Sequence, residues 1–153
     1  MNRNSIDELG EPSISLAGLK IWIHGYQFQS NEDYWDGNWL RATAIASASG
    51  AQVWVSGSFI RNTELDDWGQ KVQLVYDSHE QNANLECMEP ELSVSLKTSA
   101  LGKIEMVVQI SPDNLTQEHR FEFEIDQSYL PSLTTQCAKI LSAYPIRGRE
   151  DKH

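Results

Sequence analysis

Catalytic signatures are the first thing this chain lacks. Its four histidines, His24, His79, His119 and His153, include no HExxH spacing and join no Cys-His cluster. Its two cysteines, Cys87 and Cys137, form no CxxC pair, and in a reducing compartment they read as small buried apolar side chains. Ser56-Gly57-Ser58 is outside the GxSxG frame of a nucleophile elbow, and no glycine-rich phosphate loop occurs. Glu122 and Glu124, two apart on one strand face, imitate a carboxylate pair that His24 could serve as a base. A solvated sheet face accounts for the pair with less, and His24 reads as a sheet-edge residue. No catalytic, metal-binding or cofactor-binding residue is assigned.

Long apolar runs and positive charge are also scarce. No apolar run approaches the roughly 18 residues that span a bilayer, which excludes a helical membrane anchor. Met1 to Pro12 is polar and acidic, without the apolar centre of a signal peptide, so a cytoplasmic location is the expectation. Twelve Lys and Arg stand against twenty-two Asp and Glu, a net charge of −10. Nucleic-acid binding needs a basic face, so direct binding to DNA or RNA is excluded. The same surplus steers the protein toward a basic partner. With 153 residues, 40% hydrophobic and 22% charged, the chain suits one domain with a substantial core. The organisation expected is a flexible lead over 1–12, a folded domain over 13–148 and a tail over 149–153.

What is present is alternation. From Ile14 onward Leu19, Ile21 and Ile23 point one way while Lys20, Trp22 and His24 point the other. Leu40 to Ala46 reads as a second strand whose Ala-rich face needs a bulky cover, such as a helix. Gln52 to Ser56 is a third strand, after the turn at Ser49-Gly50. The period then changes: Leu65, Trp68, Val72 and Val75 form one helical stripe, over about 63–78. Asn62 or Thr63 is the expected cap, with Glu64, Asp66 and Asp67 in the first turns. Strands resume with a short piece around Leu85 and Cys87, then Leu92–Leu96, Ile104–Ile110 and Phe121–Ile125. Each of the last three alternates apolar and polar residues, as antiparallel strands with one covered face do. A second helix follows, capped by Ser128, with Pro131 in its first turn and Leu133, Cys137, Ile140, Leu141 and Tyr144 as its stripe. The fold class is α+β, an antiparallel β-sheet of about seven strands in the order βββαββββα, packed with two helices.

One stretch remains unplaced. Asn31 to Leu40 carries three acids, a Tyr and two Trp around Asp36-Gly37, a pair suited to the positive φ angles of a tight turn. Acids beside large aromatics on a connection between strands suit a binding edge, where Trp and Tyr dominate hot spots. They equally suit a loop that plugs the end of a β core. Glu32, Asp33, Tyr34, Trp35 and Asp36 are the candidate partner-contacting residues, and an Arg- or Lys-lined groove is the surface they would fit. The unplaced Trp residues also fit a second function, a small-ligand module that stacks a sugar or base.

Leu19 to Gly25, the turn Asp33-Tyr34-Trp35-Asp36-Gly37-Asn38-Trp39-Leu40, Val53 to Gly57, and Phe121 to Leu130 together resemble the WapI-type immunity protein family. The resemblance spans about 14–148, and the Tyr-Trp-Asp-Gly-Asn-Trp turn is its most specific part. It implies a small, non-enzymatic cytoplasmic antitoxin that binds a cognate contact-dependent toxin domain, often a nuclease, and blocks it. A nuclease needs a basic surface, which an acidic inhibitor complements. As a family signature, the turn would place Trp35 and Trp39 in the scaffold and leave Glu32, Asp33 and Asp36 as the better contacts. The toxin's identity, the oligomeric state and the strand order stay open at this point.

Overall fold

In a computed structural model the chain is described over residues 6–149. It forms two antiparallel four-stranded sheets, each followed by one helix. The first sheet holds β1 (Ile14–Leu16), β2 (Leu19–Tyr26), β3 (Trp39–Ala48) and β4 (Ala51–Arg61), adjacent in chain order. Helix α1 (Asn62–Tyr76) leads to the second sheet, β5 (Asn82–Glu86), β6 (Leu92–Thr98), β7 (Lys103–Ile110) and β8 (Arg120–Asp126). Helix α2 (Leu130–Ala143) closes the fold. The α+β class holds, with eight strands. The extra one is β1: Ala17 takes a positive φ of 50°, and a two-residue turn folds Leu16 back onto Leu19.

Both sheets turn their alternating apolar faces into one core. In the first sheet Ile21, Ala44 and Val55 lie in one row across the strands; in the second, Val94, Val108 and Phe121 do. The two sheets meet across this core, where β8 reaches β3 and β7 reaches β4. Gly18 sits at a close approach: a Cβ there would overlap the Ser47 carbonyl and sit 2.7 Å from the Phe123 ring.

The α1 stripe of Leu65, Trp68, Val72 and Val75 is buried as its period requires. Its start differs from expectation. Arg61, extended, is the N-cap, and Glu64 reaches back to accept its amide hydrogen at 2.7 Å, which is half of a capping box. Asn62 lies inside the helix with its side chain turned to the C-terminal segment. Similarly, Ser128 is not the α2 cap. Asp126 accepts from the Ser128 amide at 2.8 Å and so caps a short 3-10 turn, Gln127–Tyr129, that precedes α2. The helices cross at Gly69, where an added Cβ would lie 3.3 Å from Cys137 Cβ; a small thiol suits that crossing.

The outer face of the first sheet carries Trp22, Ile45 and Trp54, and residues 6–12 fold across part of it. Trp22 donates its indole N–H to the Gly10 carbonyl at 3.0 Å, and Trp22 and Ile45 are buried. The flexible lead over 1–12 and the tail over 149–153 fall partly on residues 1–5 and 150–153, which lie outside the described residues. No described helix is long and apolar enough to cross a membrane.

Candidate functional site

The acidic-aromatic stretch is the connection between β2 and β3, so the chain does reverse there. Its geometry begins with Asp33. The Asp33 carboxylate accepts from the amides of Trp35 (3.0 Å) and Asp36 (2.9 Å), and its carbonyl accepts from the Gly37 amide at 2.7 Å. Asn31 in turn accepts from the Asp33 amide at 2.8 Å. Local side-chain acceptors thus wind the loop into successive turns. Gly37 is needed for room. Its φ is not in the positive range; a Cβ would overlap the carbonyls of Asn31 and Asp33.

A second set of bonds fixes the loop to the C-terminal segment. Arg147 donates to the carbonyls of Phe28 (2.8 Å), Gln29 (2.8 Å), Asn31 (3.1 Å) and Gly37 (3.4 Å). Its guanidinium carbon lies 3.5 Å from the Tyr26 ring centroid, a stacked cation–π contact. Five donors in a fixed plane can gather several carbonyls at once, which an ammonium cannot. Tyr26 donates its hydroxyl to the Pro145 carbonyl and packs edge-on against Tyr144, 5.5 Å between centroids. Burial raises the Tyr26 pKa above its usual 10.0, against an opposing pull from Arg147.

Asn38 completes the latch. Fully buried, it donates to the carbonyls of Tyr34 (2.7 Å) and Arg147 (3.0 Å) and accepts from the Arg147 amide at 2.8 Å. Asn62 donates to the carbonyls of Tyr144 (3.1 Å) and Pro145 (3.2 Å), anchoring the same segment to the α1 start. Sequence reading missed Arg147, Asn38 and Tyr26. Only Asn38 carried a signal, as part of the Tyr-Trp-Asp-Gly-Asn-Trp turn; that its amide is buried and so must find partners is seen only in the structure.

The five candidate residues therefore have different surroundings. Glu32 and Asp36 are exposed, and Trp35 keeps 45% of its surface open, edge-on against half-buried Tyr34 at 5.0 Å. Phe28, on the same loop, is 47% exposed. Asp33 is committed to turn formation. The expectation that both Trp35 and Trp39 belong to the scaffold divides. Trp39 is half-buried under the Arg61 guanidinium, 5.3 Å from its centroid, whereas Trp35 faces out.

The alternative chemistries lose their geometry. Glu122 is paired with Arg120 and Glu124 with Lys103 (3.1 Å) on the outer face of the second sheet. His24 sits on the first sheet, bonded to the Thr43 hydroxyl at 2.8 Å. The groove that Glu122 and Glu124 line does not include His24. Among the described residues no three His, Cys, Asp or Glu side chains group to hold a metal ion. Of the tryptophans proposed for ligand stacking, Trp22 is buried by the Gly10 segment, which leaves Trp35, Trp39 and Trp54 partly open.

Three comparisons with known proteins bear on this chain. A family model described as the "Immunity protein WapI-like family" matches residues 12–145. No curated protein matches it. Among solved structures it is similar to one titled "Crystal Structure of WHY1 from Arabidopsis thaliana", with 9% identity over 88% of this chain and 90% of that one, at a TM-score of 0.41.

Proposed function

The chain belongs to the WapI-like immunity protein family, and from that premise we propose that it binds and neutralises a cognate toxin domain through the β2–β3 loop. The observation that carries this reading is the loop's construction. Its main chain is held by Arg147, Asn38 and Asp33, while Phe28, Glu32, Trp35 and Asp36 are presented outward. A preorganised aromatic anchor rimmed by carboxylates loses little freedom on binding and suits a basic partner. A nuclease domain is the toxin class that fits best, because its substrate-binding surface must be basic. Inhibition is by occlusion, without chemistry.

The test is rescue and binding with the toxin domain encoded beside this gene. Trp35→Ala should weaken binding by more than ~2 kcal/mol while leaving the fold in place, since the residue is already 45% exposed. Charge reversal at Glu32 and Asp36 should slow association and flatten its salt dependence. Failure of rescue against every neighbouring toxin candidate would overturn the proposal.

A further inference from the structure

Two four-stranded sheets have four outer edges, and three of them are closed or guarded. On β1 the Ser15 amide donates to the Gln136 side chain of α2 at 2.8 Å. On β5 the Ala83 carbonyl accepts from the Trp68 indole of α1 at 3.3 Å. β8 carries Arg120, Glu122, Glu124 and Asp126 at alternate positions, the charged pattern that protects an edge. The fourth edge is different. β4 pairs only with β3, and among the described residues no other main chain bonds to Gln52, Trp54 or Ser56. The two-residue turn makes Ala48–Ala51 a hydrogen-bonded pair, so alternation sends the main-chain groups of 53 and 55 to β3 and those of 52, 54 and 56 outward.

This edge has no charge, no proline and high strand propensity, Gln-Val-Trp-Val-Ser. Residues 42–60 contain no Asp, Glu, Lys or Arg. The groove along the edge is walled on its far side by Pro112, Gln117 and His119, again with no Asp, Glu, Lys or Arg. We infer that Gln52–Ser56 pairs antiparallel with the same edge of a second copy of this chain, about a two-fold axis at Trp54. Two-fold pairing requires each position to suit its mirror, and this segment is close to a palindrome. Val53 would meet Val55, Trp54 would meet Trp54, and Gln52 would meet Ser56. Charge selects the occupant: a basic partner is drawn to acidic surface, whereas an uncharged edge fits one equally uncharged. The copies still repel through their net charge of −10 each, so added salt strengthens this association.

The test is sedimentation of the full chain from about 1 µM to about 1 mM, a range that brackets weak self-association, with amide exchange read at the same concentrations. A concentration-dependent dimer, tighter at higher salt, with amides 52, 54 and 56 slowed at least about tenfold, supports the inference. Trp54→Lys sets like charges face to face at the axis, and Gln52→Pro removes an outward donor without touching a bond to β3; each should return the protein to monomer. A monomer throughout, or a dimer that survives both substitutions with those amides still fast, overturns it. Protection appearing only when toxin is added assigns the edge to the partner and also overturns it. Toxin binding through the acidic loop weakens with salt, so the two readings fail separately.

Discussion

Removing Arg147 is the sharpest perturbation of the loop. Three of its bonds are 2.8–3.1 Å to carbonyls and a fourth, to Gly37, is long at 3.4 Å. Bonds from this half-buried guanidinium contribute about 1 kcal/mol each once exchange with water is counted, below the roughly 1.5–3 kcal/mol of a fully buried charged donor, and the stacking on Tyr26 adds roughly 0.5–1 kcal/mol. Freeing the side chain returns about 2 kcal/mol of rotamer entropy. The net cost of Arg147→Ala is therefore ~2–3 kcal/mol. None of this touches the buried faces of the sheets, so it should appear mainly as loop opening. An opening equilibrium shifted by that amount raises exchange at the amides of Trp35, Asp36 and Gly37 by roughly 30- to 150-fold. The melting temperature falls by no more than roughly 4–12 °C if opening couples fully to unfolding.

Arg147→Lys sharpens the test. It keeps the charge but loses the planar fork, so less than half of the effect should be recovered. Toxin affinity should follow loop order across the two variants, not charge. Unchanged exchange at 35–37 in Arg147→Ala, or full recovery by Lys, would refute the latch.

Four further outcomes follow from the geometry. Gly18→Ala places a Cβ against the Ser47 carbonyl and the Phe123 ring, and should destabilise the domain by several kcal/mol in denaturant titration, as overpacking a sheet contact does. Gly37→Ala should instead spare the sheets and abolish loop protection, because its Cβ meets only the loop carbonyls of Asn31 and Asp33 among its three nearest atoms. Both thiols should resist alkylation at pH 8 in the folded state: burial pushes Cys137 up to about 12 and raises Cys87 further, and denaturant should release both. The His24 pKa is lowered from 6.5 by burial and then by Arg41. The unfolded chain therefore binds the proton more readily. Stability tied to His24 is complete above pH 6.5 and declines as pH falls toward the lower folded pKa. His24→Gln should remove that part of the pH dependence, measured as melting temperature against pH.

Most strands and both helices were legible because burial leaves a period: the α1 stripe and the strands from Leu92 to Ile125 follow theirs. So do Leu133, Cys137 and Ile140 of α2, whereas Leu141 is half-buried and Tyr144 lies past the end of that helix. β1 was not legible as a separate strand. Three residues cannot show a period, and the positive φ of the two-residue break falls on Ala17, while the Gly18 beside it keeps its φ outside the positive range. The loop could be placed but not resolved. Its composition could not show which acid is spent on turn formation, because Asp33 and Asp36 differ only in which amides lie near them. Arg147 was invisible for a deeper reason. It lies 110 residues from Gly37, and a guanidinium seeking carbonyls leaves no mark in local pattern.

That long-range latch has a consequence for how the loop can work. Arg147 and Asn38 engage the loop through main-chain carbonyls, which every residue type supplies. The outward side chains at 28, 32, 35 and 36 take no part in those bonds. Their chemistry can change without loosening the loop, whereas Asp33, Gly37 and Asn38 cannot change without it. Under the proposed function, scaffold and contact are thus separated within the single loop that joins β2 and β3. A protein that must recognise one particular toxin needs such a separation, because specificity then changes at little cost in stability. The combined variant Glu32→Gln, Trp35→Ser, Asp36→Asn should accordingly keep slow exchange at Gly37 while losing toxin binding. Fast exchange at Gly37 in that variant would show that the outward side chains hold the loop themselves.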